Sequence, residues 1–494
     1  MGASSRLWQT TKVTNKKNPS VLVVGSGLAG LTCAAELAAS GRDTMVVSAG
    51  RTGRDGATHR VHALAPWILL TAPWVRGDSP ARFLDDLKRR GLGLERSGLA
   101  EVLADSAHEA ALRLIEDLDL ELMDVGPVTL PGDELPRGLR CLPRDRHLML
   151  SPALSRCASA GVRVRERTLV FGLLIGEDRV AGAVVLDRDG RGVSGIEADA
   201  VVLACGGGGA VFPVTTSPRW CRGTGLALAS AAGVLLHRPE LAQALPVTAT
   251  PPLFFPSSSA LVTSRIEIGC RALPSDRDLE ATTIAIAEAA RAGAPALLEP
   301  TAEAEAILPA RLRAGAAFRQ GGRVPLAVAL HHGIGGVAID GWGRTSLSGL
   351  YACGEAAGGV QGRRRTMGTG LLEAAIFGRR AAQAIIRDQK ERGSRPESAR
   401  RAAVPGLPVE PEAIERRLDE LLGPLVVLRP REAVEAAVRE IMAWPLHGCE
   451  PSQADEASAL AGIRRQAALE MLGAFREDRS VAEPGAPGAG SGEG

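Results

Sequence analysis

The sequence predicts an α/β chain: a parallel-sheet domain, interrupted by an inserted α+β capping segment and closed by a C-terminal helical unit. Three observations predict it. Short, largely apolar runs at 20–24, 43–47 and 200–204 have the hydrophobicity of strands buried on both faces. An Ala- and Leu-rich helical stretch, 30–39, lies between the first two and completes a βαβ unit. The texture then changes near 241, where Pro246, Pro251, Pro252, Pro256 and the run Ser257 to Ser259 mark a loop-rich crossing.

The remaining elements follow in order. Helical periodicity covers 81–90 and 99–118, and strands are expected at 162–167, 169–175 and 180–187, the last two joined by a Gly-Glu-Asp turn. Inside the insert, helices are expected at 279–292 and 301–317. Sequence of strand and turn character spans 337–351, a long helix 371–389, and further helices 412–422, 431–444 and 456–475. The organisation is therefore a first part of the nucleotide domain at 20–240, a cap at 241–324, a second part at 325–395 and a helical unit at 396–480. The Gly-, Pro-, Ala- and Ser-rich end, 481–494, is expected to be disordered, as is the polar, basic N-terminus with Lys12, Lys16 and Lys17.

Composition narrows the function. The 494 residues carry a formal net charge of +2 and only 3% aromatic residues, which argues against a nucleic-acid partner. Eight cysteines occur without a Cys-x-x-Cys pair, so no zinc or iron–sulfur site is expected. Reduced thiols fit a cytoplasmic protein. No apolar run is long enough to span a membrane.

The sharpest motif is Val-Val-Gly-Ser-Gly-Leu-Ala-Gly, with Gly25, Gly27 and Gly30 around Ser26, Leu28 and Ala29. Gly25 permits the turn out of the strand, Gly27 lets the backbone approach a pyrophosphate, and Gly30 lets helix and strand pack closely. The helix start offers free N–H groups and a positive dipole end to phosphate. This is a Rossmann-type dinucleotide site. The second strand ends in Ser48, where an acid would hold the ribose more strongly. A second segment, Gly349 to Glu355, places a short strand before a Gly-Glu pair some three hundred residues downstream. That distance suits FAD, whose length calls for a distant segment to close over it. Gly206 to Gly209 lack the spacing of a second dinucleotide motif, so reducing equivalents are expected from an organic substrate.

These motifs, with Val201 to Gly207, Gly223-Thr224-Gly225 and Gly335 through Phe377, resemble the succinate dehydrogenase/fumarate reductase flavoprotein superfamily. Ser48, the stretch Leu371 to Arg380 and the C-terminal helices are similar to its aspartate oxidase branch. The resemblance implies FAD contacts from the first glycine loop, Ser48, the turn Gly56-Ala57-Thr58, Ala204, Gly206, Gly207, Thr224, Glu355, Gly370 and Leu371. Ala57 stands where succinate dehydrogenases carry the flavin-linking His, so the FAD is expected to be non-covalent, and no metal is expected.

The same resemblance implies hydride transfer from a small carboxylate substrate to FAD, with oxygen, fumarate or quinone as acceptor. Arg365 matches the carboxylate-binding Arg, although three consecutive arginines also suit a solvated basic loop. His331 matches the substrate His, or is a loop His beside the flavin. Arg265 is the nearest candidate for the cap's proton-carrying Arg. Leu245 replaces a substrate His, and with Pro66, Trp67 and Trp74 it suggests a more apolar pocket. Three readings stay open: an aspartate-oxidase-like enzyme producing iminoaspartate for NAD biosynthesis, a flavin dehydrogenase for a less polar substrate, and an inactive flavoprotein subunit. The oligomeric state is left open.

Overall fold

The structure is a computed structural model. It describes residues 18–64, 67–130, 133–250, 254, 261, 264–274, 278–308, 310–314, 322–392, 399, 401–446 and 451–477. Both expected disordered ends lie outside these residues, apart from Asn18 and Pro19.

Five strands form the main sheet: β1 (Val21–Val24), β2 (Thr44–Val47), β3 (Arg163–Arg165), β4 (Ala200–Leu203) and β5 (Leu350–Ala352). Their spatial order is β5-β4-β1-β2-β3, and every pairing is parallel. Val21 to Val24 and Val201 to Leu203 are wholly or almost wholly buried, as strands covered on both faces must be. The order reverses between β1 and β4, and ligands of such sheets sit beyond the strand C-termini at that switch point. Helix α1 (Leu28–Ala39) follows β1 and packs on the long helix Gly370–Arg392.

The chain between β2 and β3 carries helix α2 (Ala57–Leu64) and a three-stranded antiparallel sheet, with the strand Ile68–Thr71 beside Gly138–Pro143. The buried Arg137 guanidinium ties this sheet down. It is held by Asp78, at 2.8 and 2.9 Å, and by Asp86.

A second five-stranded sheet forms the cap, and its two longest strands are Ala242–Thr248 and Val324–Gly333. The latter is one continuous antiparallel strand pairing with Ala242–Thr248 through Gly333. The cap sheet therefore extends nine residues past the expected boundary at 324, and His331 and His332 belong to it. The single helix expected at 301–317 is broken into Ala302–Ile307 and Ala310–Arg313. Leu308 is extended at φ −64°, ψ 134°, because the following Pro309 disfavours helix at its predecessor. Three helices, Pro411–Leu422, Arg431–Ala443 and Glu456–Glu477, enclose their own apolar core with Val211 and Phe212.

Candidate functional site: a cleft at the switch point

One continuous cleft runs from the C-terminal ends of β1, β2 and β4, past α2, to the cap strand Val324–Gly333 and the start of the helix Gly370–Arg392. Its first end is made of main chain. Gly25 has φ +113°, and an added Cβ would collide with the Ala204 carbonyl, so a side chain is doubly excluded there. Gly30 is equally closed, against the Gly25 carbonyl oxygen. Gly27 differs: a Cβ there would meet only Thr58 Oγ1 at 3.4 Å, and at Gly56 only Gly27 Cα at 3.9 Å. That backbone is left open to the cleft.

Gly27 is also the N-cap of α1, with no side-chain cap and no acid in the first turn. The first N–H groups of the helix are thus free for phosphate oxygens, apart from Leu28 N–H, which donates to Thr58 Oγ1 at 3.2 Å. At the end of β2, Ser48 Oγ lies 2.8 Å from Ser26 Oγ, both buried. These residues fit a dinucleotide: uncapped donors for the pyrophosphate, hydroxyls for the ribose, and cleft walls on both sides of the switch point.

The other end is made of side chains. Arg363 and Arg364 are exposed, but Arg365 turns inward and lines the cleft. Its Nη1 donates to Gln243 Oε1 at 3.2 Å, and its Nε is buried without a partner among the described residues. A side chain at Gly370 would strike this guanidinium, so the glycine lets Arg365 lie over the start of the long helix. Burial pulls the Arg365 pKa down, while Glu373 and Glu355 oppose that shift. Burial pushes Glu355 up to about 6 and Glu373 up to about 7. Glu355 accepts from Gly333 N–H at 2.8 Å, and Glu373 from Gln361 Nε2 at 3.0 Å.

Three imidazoles share this end. His331 Nδ1 lies 2.8 Å from Thr216 Oγ1. Burial, with the nearby Arg365 charge, pushes His331 down to about 3 and His62 to about 4, and holds His332 well below its usual value. All three are therefore neutral at pH 7. The rest of the wall is apolar, with Trp67, Leu69, Leu130, Phe254 and Met367. Arg140 crosses it with its guanidinium 4.4 Å from the Trp67 ring centre.

The structure brings most of the sequence candidates into this cleft. Gly25, Ser26, Gly27, Leu28, Ala29, Ser48, Gly56, Ala57, Thr58, Ala204, Gly206, Thr224, Glu355, Gly370, Leu371, His331 and Arg365 all line it. Gly30 and Gly207 do not; they frame it, Gly207 packing against the Glu355 carboxylate. Arg265 is a correction. It sits half-exposed on the cap strand Arg265–Ile268, ion-paired with Glu267, and is not on the cleft wall. Its strand lies on the far side of the cap sheet from Ala242–Thr248. Leu245 is buried within the cap and Trp74 packs on the main core near His108, so neither lines the cleft; Pro66 lies outside the described residues. Sequence reasoning gave no site role to His332, Gln243, Glu373 or Arg140. His332 adjoins the matched His331, a signal that was there to follow. Gln243, Glu373 and Arg140 carried none, because only the tertiary fold brings them together.

Comparison with known proteins gives the cleft its cofactor. Residues 20–267 and 268–371 match the family described as "FAD binding domain". The chain belongs to this family of FAD-dependent oxidoreductases. It is 32% identical over 405 residues to the L-aspartate oxidase of Streptomyces coelicolor, covering 74% of this chain and 68% of that one. To the L-aspartate oxidase of Caulobacter vibrioides it is 31% identical over 395 residues, covering 74% and 75%. Its fold is that of the Mycobacterium smegmatis Sdh1 complex, apo form, with a TM-score of 0.75, 21% identity and 93% and 87% coverage. FAD is thus the cofactor of this flavoprotein, and the main-chain end of the cleft has the donors to hold its pyrophosphate. Among the described residues no helix is long and apolar enough to cross a membrane, and none groups three or more metal-binding side chains.

Proposed function

We propose that this flavoprotein oxidises L-aspartate to iminoaspartate in the cytoplasm, with FAD receiving the electron pair. The observation that carries the reading is Arg365: a guanidinium inside the cleft that, among the described residues, has the neutral Gln243 as side-chain acceptor and no partner for its Nε. A buried cation of this kind calls for an anion, and a carboxylate matches its planar donor fork. The likeness to two L-aspartate oxidases supports aspartate as that carboxylate. His331, neutral and oriented by Thr216, borders the same space and orients the bound acid. FAD supplies the two-electron acceptor, and the protein's own groups bind, orient and exclude water. Oxygen or fumarate would then reoxidise the cofactor.

Anaerobic titration of the yellow protein with L-aspartate, beside succinate, tests this. Bleaching of the flavin band by aspartate is the expected result. If neither acid bleaches a flavin that dithionite still reduces, the reading fails. The apolar wall of Trp67, Leu69, Leu130, Phe254 and Met367 would then direct the search to a less polar substrate, or to a non-catalytic role.

A further inference from the structure

We infer that His62 Nε2 is the proton acceptor of this site, taking the proton that the substrate's ammonium group must lose. The inference rests on the amino-acid reading above. An amine can expel its Cα hydrogen with the bonding pair only after its nitrogen has a free lone pair. One N–H proton of the ammonium passes to His62, the Cα hydrogen leaves with its bonding pair as hydride, for which bound FAD would be the acceptor, and the nitrogen lone pair closes the C=N bond of an iminium product. One base is needed, at the nitrogen.

The position of His62 suits that role. It lies on α2, whose residues Ala57, Thr58, Val61 and His62 all face the cleft. Its Nδ1 is 2.8 Å from the Thr58 carbonyl oxygen. A carbonyl only accepts, so Nδ1 carries the ring proton and Nε2 keeps its lone pair. The carbonyl also fixes the ring one turn along its own helix, as outer partners fix catalytic imidazoles elsewhere.

The surrounding charges make the base conditional on substrate. Arg365 faces His62 from the loop before the long helix, His331 from the cap strand and His59 from its own helix α2, with Glu355 and Glu373 acting on Arg365. Burial, with the Arg365 charge nearby, keeps His62 neutral before substrate binds. A carboxylate seated on Arg365 cancels that repulsion, so the imidazole becomes a better proton acceptor as the substrate arrives. Among the described residues, Glu355 accepts from Gly333 N–H and has His332 Nδ1 3.6 Å away, Glu373 accepts from Gln361, and His331 Nδ1 meets the Thr216 hydroxyl, which, unlike a carbonyl, does not fix the ring proton on Nδ1. Arg265 is outside the cleft.

The test compares wild type with His62→Gln and His62→Ala, each with its bound flavin quantified first. Stopped-flow bleaching by L-aspartate should fall about 10²- to 10⁴-fold in both, with little change in aspartate affinity, and added imidazole should restore part of the rate to His62→Ala. A second readout needs no turnover: binding of malonate in weakly buffered solution near pH 6 should take up protons in wild type and fewer in His62→Gln. Wild-type uptake that His62→Gln lacks, without bleaching by aspartate, would support the acceptor and overturn the aspartate reading. Bleaching of His62→Gln at the wild-type rate and pH profile would overturn the acceptor and leave the aspartate reading standing.

Discussion

The two ends of the cleft are built from different materials. The phosphate end is backbone: Gly25 and Gly30, where a side chain has no room, the open main chain at Gly27 and Gly56, and uncapped N–H groups at the start of α1. The substrate end is side chain, contributed by α2, two cap strands and the loop carrying Arg365. A backbone site tolerates no change at its closed glycines, Gly25 and Gly30, but is indifferent to most neighbouring side chains. A side-chain site can change its chemistry one residue at a time on an unchanged frame.

The largest effect should come from breaking the backbone end. In Gly25→Val the new side chain would overlap the Ala204 carbonyl at a φ of +113°, where β-branched residues are outliers. The expected outcome is loss of bound FAD and of most soluble protein, read as the ratio of flavin to protein absorbance. Retention of full flavin would mean that the strand-to-helix turn is more adaptable than its geometry shows.

Breaking the substrate end should spare the cofactor. Arg365→Ala removes two charge-assisted hydrogen bonds to a carboxylate, worth about 1.5–3 kcal/mol each. The rate of bleaching at low aspartate should fall about 10²- to 10⁴-fold, with FAD content unchanged. Flavin loss in this variant would show that Arg365 serves the cofactor and would blur the two-end contrast.

The same contrast explains what the sequence revealed. The main sheet, α1 and the glycine loop were legible because strand burial, helix start and glycine spacing are local properties of 21–39. Ser48 was legible as a neutral strand end, but its pairing with Ser26 was not. Arg365 was ambiguous among three arginines, since only the fold decides which one turns inward. The cap boundary was misplaced because Val324–Gly333 is one strand whose two halves differ in texture, Val-Pro-Leu-Ala before His-His-Gly. Arg265 was misjudged because a residue's chemistry does not reveal how far across a sheet its strand lies from the cleft.

A pH experiment sharpens the side-chain end further. His62 and His331 are depressed to about 4 and about 3 from 6.5. Their unfolded forms take up protons first, so their contribution to stability is full above 6.5 and is lost as pH falls toward these values. Glu355 and Glu373 are raised to about 6 and about 7 from 4.5. Their unfolded forms lose protons first, so their contribution is full below 4.5 and is lost as pH rises through 6 to 7. Urea midpoints of the apoprotein should therefore decline on both sides of a maximum between about pH 5 and 6.5. Glu373→Gln should flatten the alkaline side by up to about 3 kcal/mol. An unaltered alkaline limb would show that the carboxyl is already ionised in the folded protein.

The smallest expected effect tests whether the backbone end has any side-chain dependence at all. Ser48 and Ser26 share one buried hydroxyl contact, and Gly53 N–H donates to Ser26 Oγ at 3.4 Å. Ser48→Ala removes one neutral hydrogen bond, worth about 0.5–1.5 kcal/mol, so FAD should bind about two- to twelve-fold more weakly. If Ser48 acts through Ser26, the double variant Ser26→Ala/Ser48→Ala should lose less than the sum of the single changes, measured as FAD dissociation constants in a mutant cycle. If the losses simply add, Ser48 meets the cofactor independently, and a carboxylate there would tighten binding. A shared loss would mean the pair acts as one unit that sets the loop above the phosphates, and Ser48→Glu would then weaken binding by displacing Ser26.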